Sequence, residues 1–87
     1  MTKELKEKIL SRMYNWKMRS AYSLAINSEE EISQNLLTLL KGMSDQFGNC
    51  GWQDGTVFDE LRDTNNIIAD LLGYVWDDGL DKWVEKD

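Results

Sequence analysis

The chain has 87 residues, of which 41% are apolar and 30% charged, and its net charge is −6. This length and composition are typical of a single globular domain, residues 1–87, with a modest core. The apolar runs are far shorter than the ~20 residues that span a bilayer, which excludes a transmembrane helix. No apolar run follows the N-terminal lysines, so no secretory signal is predicted and we expect a cytoplasmic protein.

The first segment with helical periodicity covers residues 3–26, and it carries two apolar stripes. The first stripe consists of Leu5, Ile9, Met13 and Trp16, and the second of Leu10, Tyr14, Met18, Ala21, Tyr22 and Ala25. This pattern indicates either a bend near Asn15 or a straight helix that lies between two neighbours and buries both faces. Because the segment contains neither Pro nor Gly, the straight helix is favoured.

The second predicted helix covers residues 29–47. Ser28 and Glu31 have the spacing of a capping box, in which each side chain accepts a hydrogen bond from an otherwise unpaired backbone N–H. Gly48 is placed to end the helix in the left-handed conformation. The glycine-rich segment 48–55 that follows predicts a loop.

The third predicted helix begins at an N-cap on Thr56, with Asp59 three residues later, and continues to Trp76. Its apolar stripe consists of Val57, Phe58, Leu61, Ile68, Leu71, Leu72, Val75 and Trp76. The motif 77-DDG-79 then predicts a turn, and residues 79–86 predict a short final helix. Together these elements predict an all-α fold, a small bundle of three long helices plus a short C-terminal helix.

Most catalytic chemistries lack the residues that they need. The chain contains no His, which is the commonest general base near neutral pH and the commonest metal ligand. The one cysteine, Cys50, has no histidine to activate it and can form no intrachain disulfide, which fits a reducing compartment. No phosphate-binding glycine motif and no calcium loop occurs. We therefore expect no enzymatic activity, no cofactor and no metal site.

The charge is distributed unevenly along the chain. Residues 1–26 hold six basic and two acidic residues, whereas residues 27–87 hold four basic and fourteen acidic residues. On the third predicted helix, aspartates line the face opposite the apolar stripe. Like charges four positions apart destabilise a helix by a few tenths of a kcal/mol, and a solvated face without another role more often mixes both signs. This pattern favours a surface for a basic protein, with a purely solubilising role as the alternative.

Aromatic and aliphatic side chains next to the acidic line complete the candidate surface. Carboxylates steer the encounter with a basic partner, and Tyr or Trp side chains anchor the centre of an interface. The candidate partner-binding residues are Asp59, Asp63, Asn66, Ile67, Asp70, Tyr74, Trp76, Asp77, Asp78 and Trp52.

In size, charge and expected helicity, the chain resembles small acidic inhibitors that mimic nucleic acid: phage-encoded anti-restriction and anti-CRISPR proteins, and immunity proteins that neutralise nuclease toxins. No sequence motif is shared, so the resemblance assigns no residue. It implies a non-enzymatic inhibitor or regulator of a basic, nucleic-acid-handling protein, with no direct contact to nucleic acid or membrane. The alternative is a structural or assembly subunit, a helical homodimer or hetero-oligomer, that uses an apolar face of residues 10–25 left open in the monomer. A third hypothesis is a nucleic-acid or membrane-surface binder that uses the basic segment 1–26.

Overall fold

The computed structural model describes residues 1–47 and 55–86, with side chains from residue 59 onward in the second range. Helices dominate these ranges, and a two-stranded antiparallel sheet follows them. The elements are α1 (Lys3–Tyr14), α2 (Met18–Ile26), α3 (Gln34–Phe47), α4 (Gly55–Leu71), β1 (Tyr74–Asp77) and β2 (Lys82–Glu85). The predicted helical character is confirmed. The expected all-α bundle of three long helices is corrected, because the N-terminal segment forms two helices and the final segment forms a β-hairpin.

Several predictions concern residues outside these ranges. They are the helix end at Gly48, the thiol of Cys50 and the loop that contains them. The predicted cap at Thr56 concerns a side chain outside the described part of the chain. None of the helices that the structure describes in residues 1–47 and 55–86 has the length and apolar character needed to cross a membrane.

The predicted straight helix over residues 3–26 is wrong, because α1 ends before Trp16 and α2 begins after it. Trp16 has a φ of 59°, in the left-handed region. Its N–H donates to the Met13 carbonyl oxygen at 3.0 Å, and the N–H of Lys17 donates to the Arg12 carbonyl oxygen at 2.8 Å. This pair of hydrogen bonds is a Schellman motif, which ends a helix. Glycine usually occupies the left-handed position of that motif, so a tryptophan there does not mark the break.

α3 begins later than the predicted start at residue 29. The Ser33 hydroxyl oxygen accepts a hydrogen bond from the Leu36 N–H at 3.3 Å, so Ser33 provides the cap in place of the predicted capping box. Ser28 instead accepts from the Glu30 N–H at 3.0 Å, within the connection between α2 and α3. The helix continues to Phe47, the last described residue of the first range, and its predicted end at Gly48 lies outside the described residues.

α4 ends at Leu71 and does not reach the predicted end at Trp76. Gly73 has a φ of 88°, and its N–H donates to the Asp70 carbonyl oxygen at 3.0 Å. A left-handed glycine is the commonest way to end a helix, because glycine lacks the Cβ that disfavours this conformation.

Residues 74–85 form a hairpin where the end of the third helix and the final helix over residues 79–86 were predicted. The cross-strand pairs are Tyr74 with Glu85, Val75 with Val84, Trp76 with Trp83, and Asp77 with Lys82. The aromatic and β-branched residues of both strands favour extended structure over helix. The turn predicted at 77-DDG-79 is confirmed, since it joins the two strands. The Lys86 N–H then donates to the Gly73 carbonyl oxygen at 2.9 Å, next to the first strand.

The core is continuous and receives side chains from all four helices and from β1. Both apolar stripes of the N-terminal segment contribute to it, because α1 and α2 are separate helices and each turns its own face inward. α2 packs against α1 and α3, and α3 packs against α4. The buried apolar side chains are Ile9, Leu10, Met13, Met18, Ala21, Ala25, Leu36, Leu40, Met43, Leu61, Ile68, Ala69, Leu72 and Tyr74.

Candidate protein-binding site

The predicted acidic line is present on α4. Asp59, Asp63 and Asp70 are exposed and Asn66 is half-buried, and the helical repeat places all four on one side of the helix. Ile67 lies beside them and is 54% exposed. The part of the predicted surface that belongs to α4 is therefore brought together.

Two aspartates of this line have basic neighbours. Arg62 Nη2 lies 3.0 Å from Asp59 Oδ1, and the Lys86 ammonium forms an ion pair with Asp70. Exposed pairs of this kind contribute about 0–1 kcal/mol, and the carboxylates remain accessible. Asp63 has no ion pair among the residues that the structure describes. The line thus keeps a negative field that neighbouring cations reduce.

The hairpin changes the position of the remaining predicted residues. Tyr74 is 6% exposed and lies in the core, so it offers no exposed anchor. Asp77 Oδ1 accepts a hydrogen bond from the Leu80 N–H at 3.0 Å, so its carboxylate stabilises the hairpin turn. Asp77 and Asp78 therefore do not continue the helical line of α4, because the helix ends before them. Trp52 lies outside the described residues.

Three aromatic rings from α1 and the hairpin form an aromatic cluster of Tyr14, Trp76 and Trp83. The ring centroids of Tyr14 and Trp76 are 6.2 Å apart with an interplanar angle of 21°. Those of Trp76 and Trp83 are 5.2 Å apart and nearly perpendicular, at 81°. Each such pair contributes about 0.5–1.5 kcal/mol beyond the burial of area. Trp83 Nε1 also donates to Asn66 Oδ1 at 2.9 Å, which connects the aromatic cluster to α4.

A pocket of about 640 Å³ opens beside the aromatic cluster, between the end of α1, α4 and the hairpin. This volume is within the range of about 300–1,000 Å³ that is typical of ligand pockets. We call it the aromatic pocket. Its aromatic walls are Tyr14, Trp16, Trp76 and Trp83, and its polar lining includes Arg62, Asn65, Asn66, Asp78 and Asp81.

Asn65 places a buried hydrogen-bond acceptor at the aromatic pocket. The residue is 1% exposed, and its Oδ1 has no hydrogen-bond partner among the residues that the structure describes. A buried carbonyl oxygen without a partner destabilises a fold by about 1–3 kcal/mol. Since most buried polar groups are hydrogen-bonded, an unpaired acceptor in a pocket wall indicates a position for a donor from a ligand.

Trp16 lines the same pocket in a strained backbone conformation. A residue with a Cβ is disfavoured by about 1–2 kcal/mol in the left-handed region. Strained residues of this kind persist where the surrounding structure holds them, and they concentrate at binding sites. The backbone of Trp16 thus adds a second unfavourable feature at the aromatic pocket.

The basic N-terminal helix is partly paired with acidic side chains of the same molecule. Lys3 Nζ lies 3.5 Å from Glu85 Oε1 on the hairpin, and this carboxylate is the main cause of the raised pKa of Lys3. Lys8 Nζ lies 3.1 Å from Glu4 Oε1 within α1. These pairs reduce the number of cations that the helix presents to solvent.

Tyr74 connects the same end of the molecule to the core. Burial raises the pKa of its hydroxyl, and the carboxylates of Glu7 and Glu85 raise it further. The hydroxyl oxygen has no hydrogen-bond partner in the described part of the chain.

Seven residues of the aromatic pocket were not predicted as site residues: Met13, Tyr14, Trp16, Arg62, Asn65, Asp81 and Trp83. A signal for Trp83 was present, since 74-YVWD-77 and 82-KWVE-85 flank a turn sequence and read as two strands of a hairpin. Gly73 before the first run is also a helix-ending signal. Together these two signals predict a hairpin after the helix, which places Trp76, Asp81 and Trp83 at one end of the molecule.

No group of three or more Cys, Asp or Glu side chains in residues 1–47 and 55–86 is arranged to hold an ion.

Comparison with known proteins returns no match, whether to a protein-family model, to a curated protein or to a solved structure. Function is therefore inferred from the geometry and charge of the site.

Proposed function

We propose that this chain is a non-enzymatic binding domain that docks onto a basic protein and inhibits or regulates it. The observation that carries the proposal is the position of the acidic line of α4, which is exposed next to the aromatic pocket. Asn65 and Asn66 of the same helix line that pocket. Acidic side chains around an aromatic centre match the usual division between steering charges and anchoring residues.

A nucleic-acid-handling protein is the class of partner that this surface suits best. Such proteins carry basic surfaces that bind phosphate, and a row of aspartates is complementary to the same cations. Occupying that surface competes with nucleic acid, which gives inhibition without catalysis. In this role the net charge of −6 accelerates association with the partner.

The proposal is tested by reversing two charges of the acidic line. Wild type, the Asp63→Lys/Asp70→Lys variant and a matched Glu29→Lys/Glu31→Lys variant are used as bait in lysate of the source organism. Both variants change the net charge equally, and Glu29 and Glu31 are exposed in the connection between α2 and α3. Circular dichroism first checks that each variant is folded.

We expect a basic protein that is retained by wild type and by the control and lost with the α4 variant. With that protein purified, reversal of the two charges should slow association about tenfold at low salt and flatten its salt dependence. Nucleic acid should compete for the same surface. Equal association rates for both double variants would contradict the proposal.

Self-association through the face of residues 10–25 is the competing hypothesis. Leu10, Met18 and Ala21 are buried in the core, while Tyr14 is 46% exposed and stacks on Trp76. Most of the expected apolar face is therefore covered within one chain. Sedimentation at several concentrations tests the hypothesis, and a dimer that dissociates on the Tyr14→Lys change would favour it.

Nucleic-acid binding through α1 and α2 is the third hypothesis. It predicts retention of DNA or RNA on a filter at about 50 mM salt, where phosphate contacts are strongest. Pairing of Lys3 and Lys8 with glutamates disfavours it.

A further inference from the structure

We propose that the aromatic pocket binds an arginine side chain of the protein partner. The inference rests on the proposed function, and it names the chemical group that the anchor region recognises. Three independent features of the pocket support it: aromatic faces, an unpaired buried acceptor and carboxylates.

The aromatic faces favour a flat cation. Trp16, Trp76 and Trp83 are half-buried and Tyr14 is 46% exposed, so their rings are only partly covered. Indole and phenol faces attract cations through the negative potential of the ring. A guanidinium also stacks on them, because it is planar and weakly hydrated.

The polar lining supplies acceptors for the guanidinium N–H groups. Asn65 Oδ1 has no hydrogen-bond partner among the described residues. Asp78 and Asp81 line the same pocket and are exposed. Arg62 also lines it, and its guanidinium is ion-paired with Asp59 at 3.0 Å. The pocket therefore offers a neutral acceptor and two carboxylates to an incoming cation.

Arginine uses this set of acceptors better than lysine. Its five N–H donors point in fixed directions in one plane, so one side chain can donate to more than one acceptor while its face lies on an indole. A lysine ammonium is compact and strongly hydrated, and it gains less from an aromatic face. The volume of about 640 Å³ accommodates a side chain together with the adjoining peptide backbone.

The test uses N-acetyl-arginine methylamide as a probe for the 87-residue chain labelled with nitrogen-15. The probe is titrated at constant ionic strength, and its lysine and citrulline counterparts serve as controls. Citrulline has nearly the shape of arginine without the charge. We expect saturable shifts of the Trp83 indole N–H and of the Asn65 side-chain amide, with a Kd on the order of 1–10 mM. Lysine should bind at least threefold more weakly, and citrulline should not saturate.

Two sets of variants locate the binding. Asp78→Asn/Asp81→Asn should weaken the arginine probe about threefold to tenfold. Asn is compatible with the φ of 55° at Asp81, so the turn is kept. Glu29→Gln/Glu31→Gln has the same change in net charge and should leave the Kd unchanged. Asn65→Leu should raise the unfolding midpoint and weaken the probe at least threefold, because it removes an acceptor that lacks an internal partner.

Three results would overturn the inference: no saturable shift at the aromatic pocket, equal shifts with citrulline, or loss of stability in Asn65→Leu. The proposed function is tested separately, since it depends on the carboxylates of α4 and on a captured partner. If the Asp63→Lys/Asp70→Lys variant loses partner binding but wild type does not bind the arginine probe, the proposed function stands and the inference of an arginine site is rejected. Arginine binding without a basic partner would do the reverse.

Discussion

The break between α1 and α2 predicts an unusual preference for glycine at residue 16. Trp16→Gly and Trp16→Ala both remove the indole, so they share the loss of its packing and differ only at Cβ. At a φ of 59°, a Cβ is disfavoured by about 1–2 kcal/mol. The greater freedom of glycine in the unfolded chain offsets about 0.4–1 kcal/mol of this. Trp16→Gly should therefore be more stable than Trp16→Ala by about 1 kcal/mol.

The measurement is urea unfolding followed by circular dichroism. With a urea dependence of about 1–2 kcal/mol/M for a small protein, the two midpoints should differ by roughly 0.5–1 M. A matched pair at Ser11, which is exposed within α1, serves as the control. There the order should reverse, with Ala more stable than Gly by up to about 1 kcal/mol. Alanine equal or superior to glycine at both positions would mean that residue 16 is helical and that α1 and α2 are one helix.

The remaining predictions concern single side chains and are checked by unfolding experiments. Gly42→Ala should stabilise the protein by about 1 kcal/mol, and Gly73→Ala should destabilise it by a similar amount. At both positions an added Cβ meets no atom within 4 Å, but of the two only Gly73 has a positive φ, of 88°. If denaturant unfolding shows that both substitutions change the stability in the same direction, the helix end at Gly73 is contradicted. Glu30 has a lowered pKa because the Thr2 N–H and hydroxyl donate to its carboxylate. Its contribution to stability is thus present above its unfolded pKa near 4.5 and lost as the pH falls through the lower folded value. Glu30→Gln should therefore be less stable than wild type at pH 7 and equally stable in acid. A difference in stability that persists in acid would rule out the carboxylate as the cause. The pKa of Tyr74 is raised by burial, so its stabilising effect is complete below pH 10.0 and lost as the pH rises through the folded value. Tyr74→Phe should therefore reduce the alkaline loss of stability and be neutral or up to about 1 kcal/mol more stable at pH 7, and a clear loss at pH 7 would show that the hydroxyl is hydrogen-bonded.

Part of the candidate site could be predicted because it depends on spacing within one helix. Asp59, Asp63 and Asp70 face the same way whatever the rest of the molecule does, provided that the segment is helical. The positions beyond Leu71 could not be predicted on the same basis. There the helical pattern of the apolar residues continues, and the glycine that ends the helix competes with it.

The aromatic pocket depends on contacts between distant parts of the chain. Tyr14 is the last residue of α1 and Trp16 lies between α1 and α2, while Trp76 and Trp83 belong to the hairpin. Periodicity within a segment gives no distance between two such segments. The sequence also gives no sign of the unpaired Asn65 oxygen, because the sequence pattern does not show which hydrogen bonds a side chain makes.

The amino-acid sequence by itself determined the helical character, the turn at 77-DDG-79 and the acidic side of α4. Each of these follows from local periodicity and from the conformational preferences of single residues. Only the tertiary structure decided that Trp16 takes a left-handed conformation, that residues 74–85 pair as strands, and that both apolar stripes of the N-terminal segment contribute side chains to the core. These features depend on the free energy of packing between segments, which outweighs the smaller local preferences that favoured a straight helix and a final helical turn.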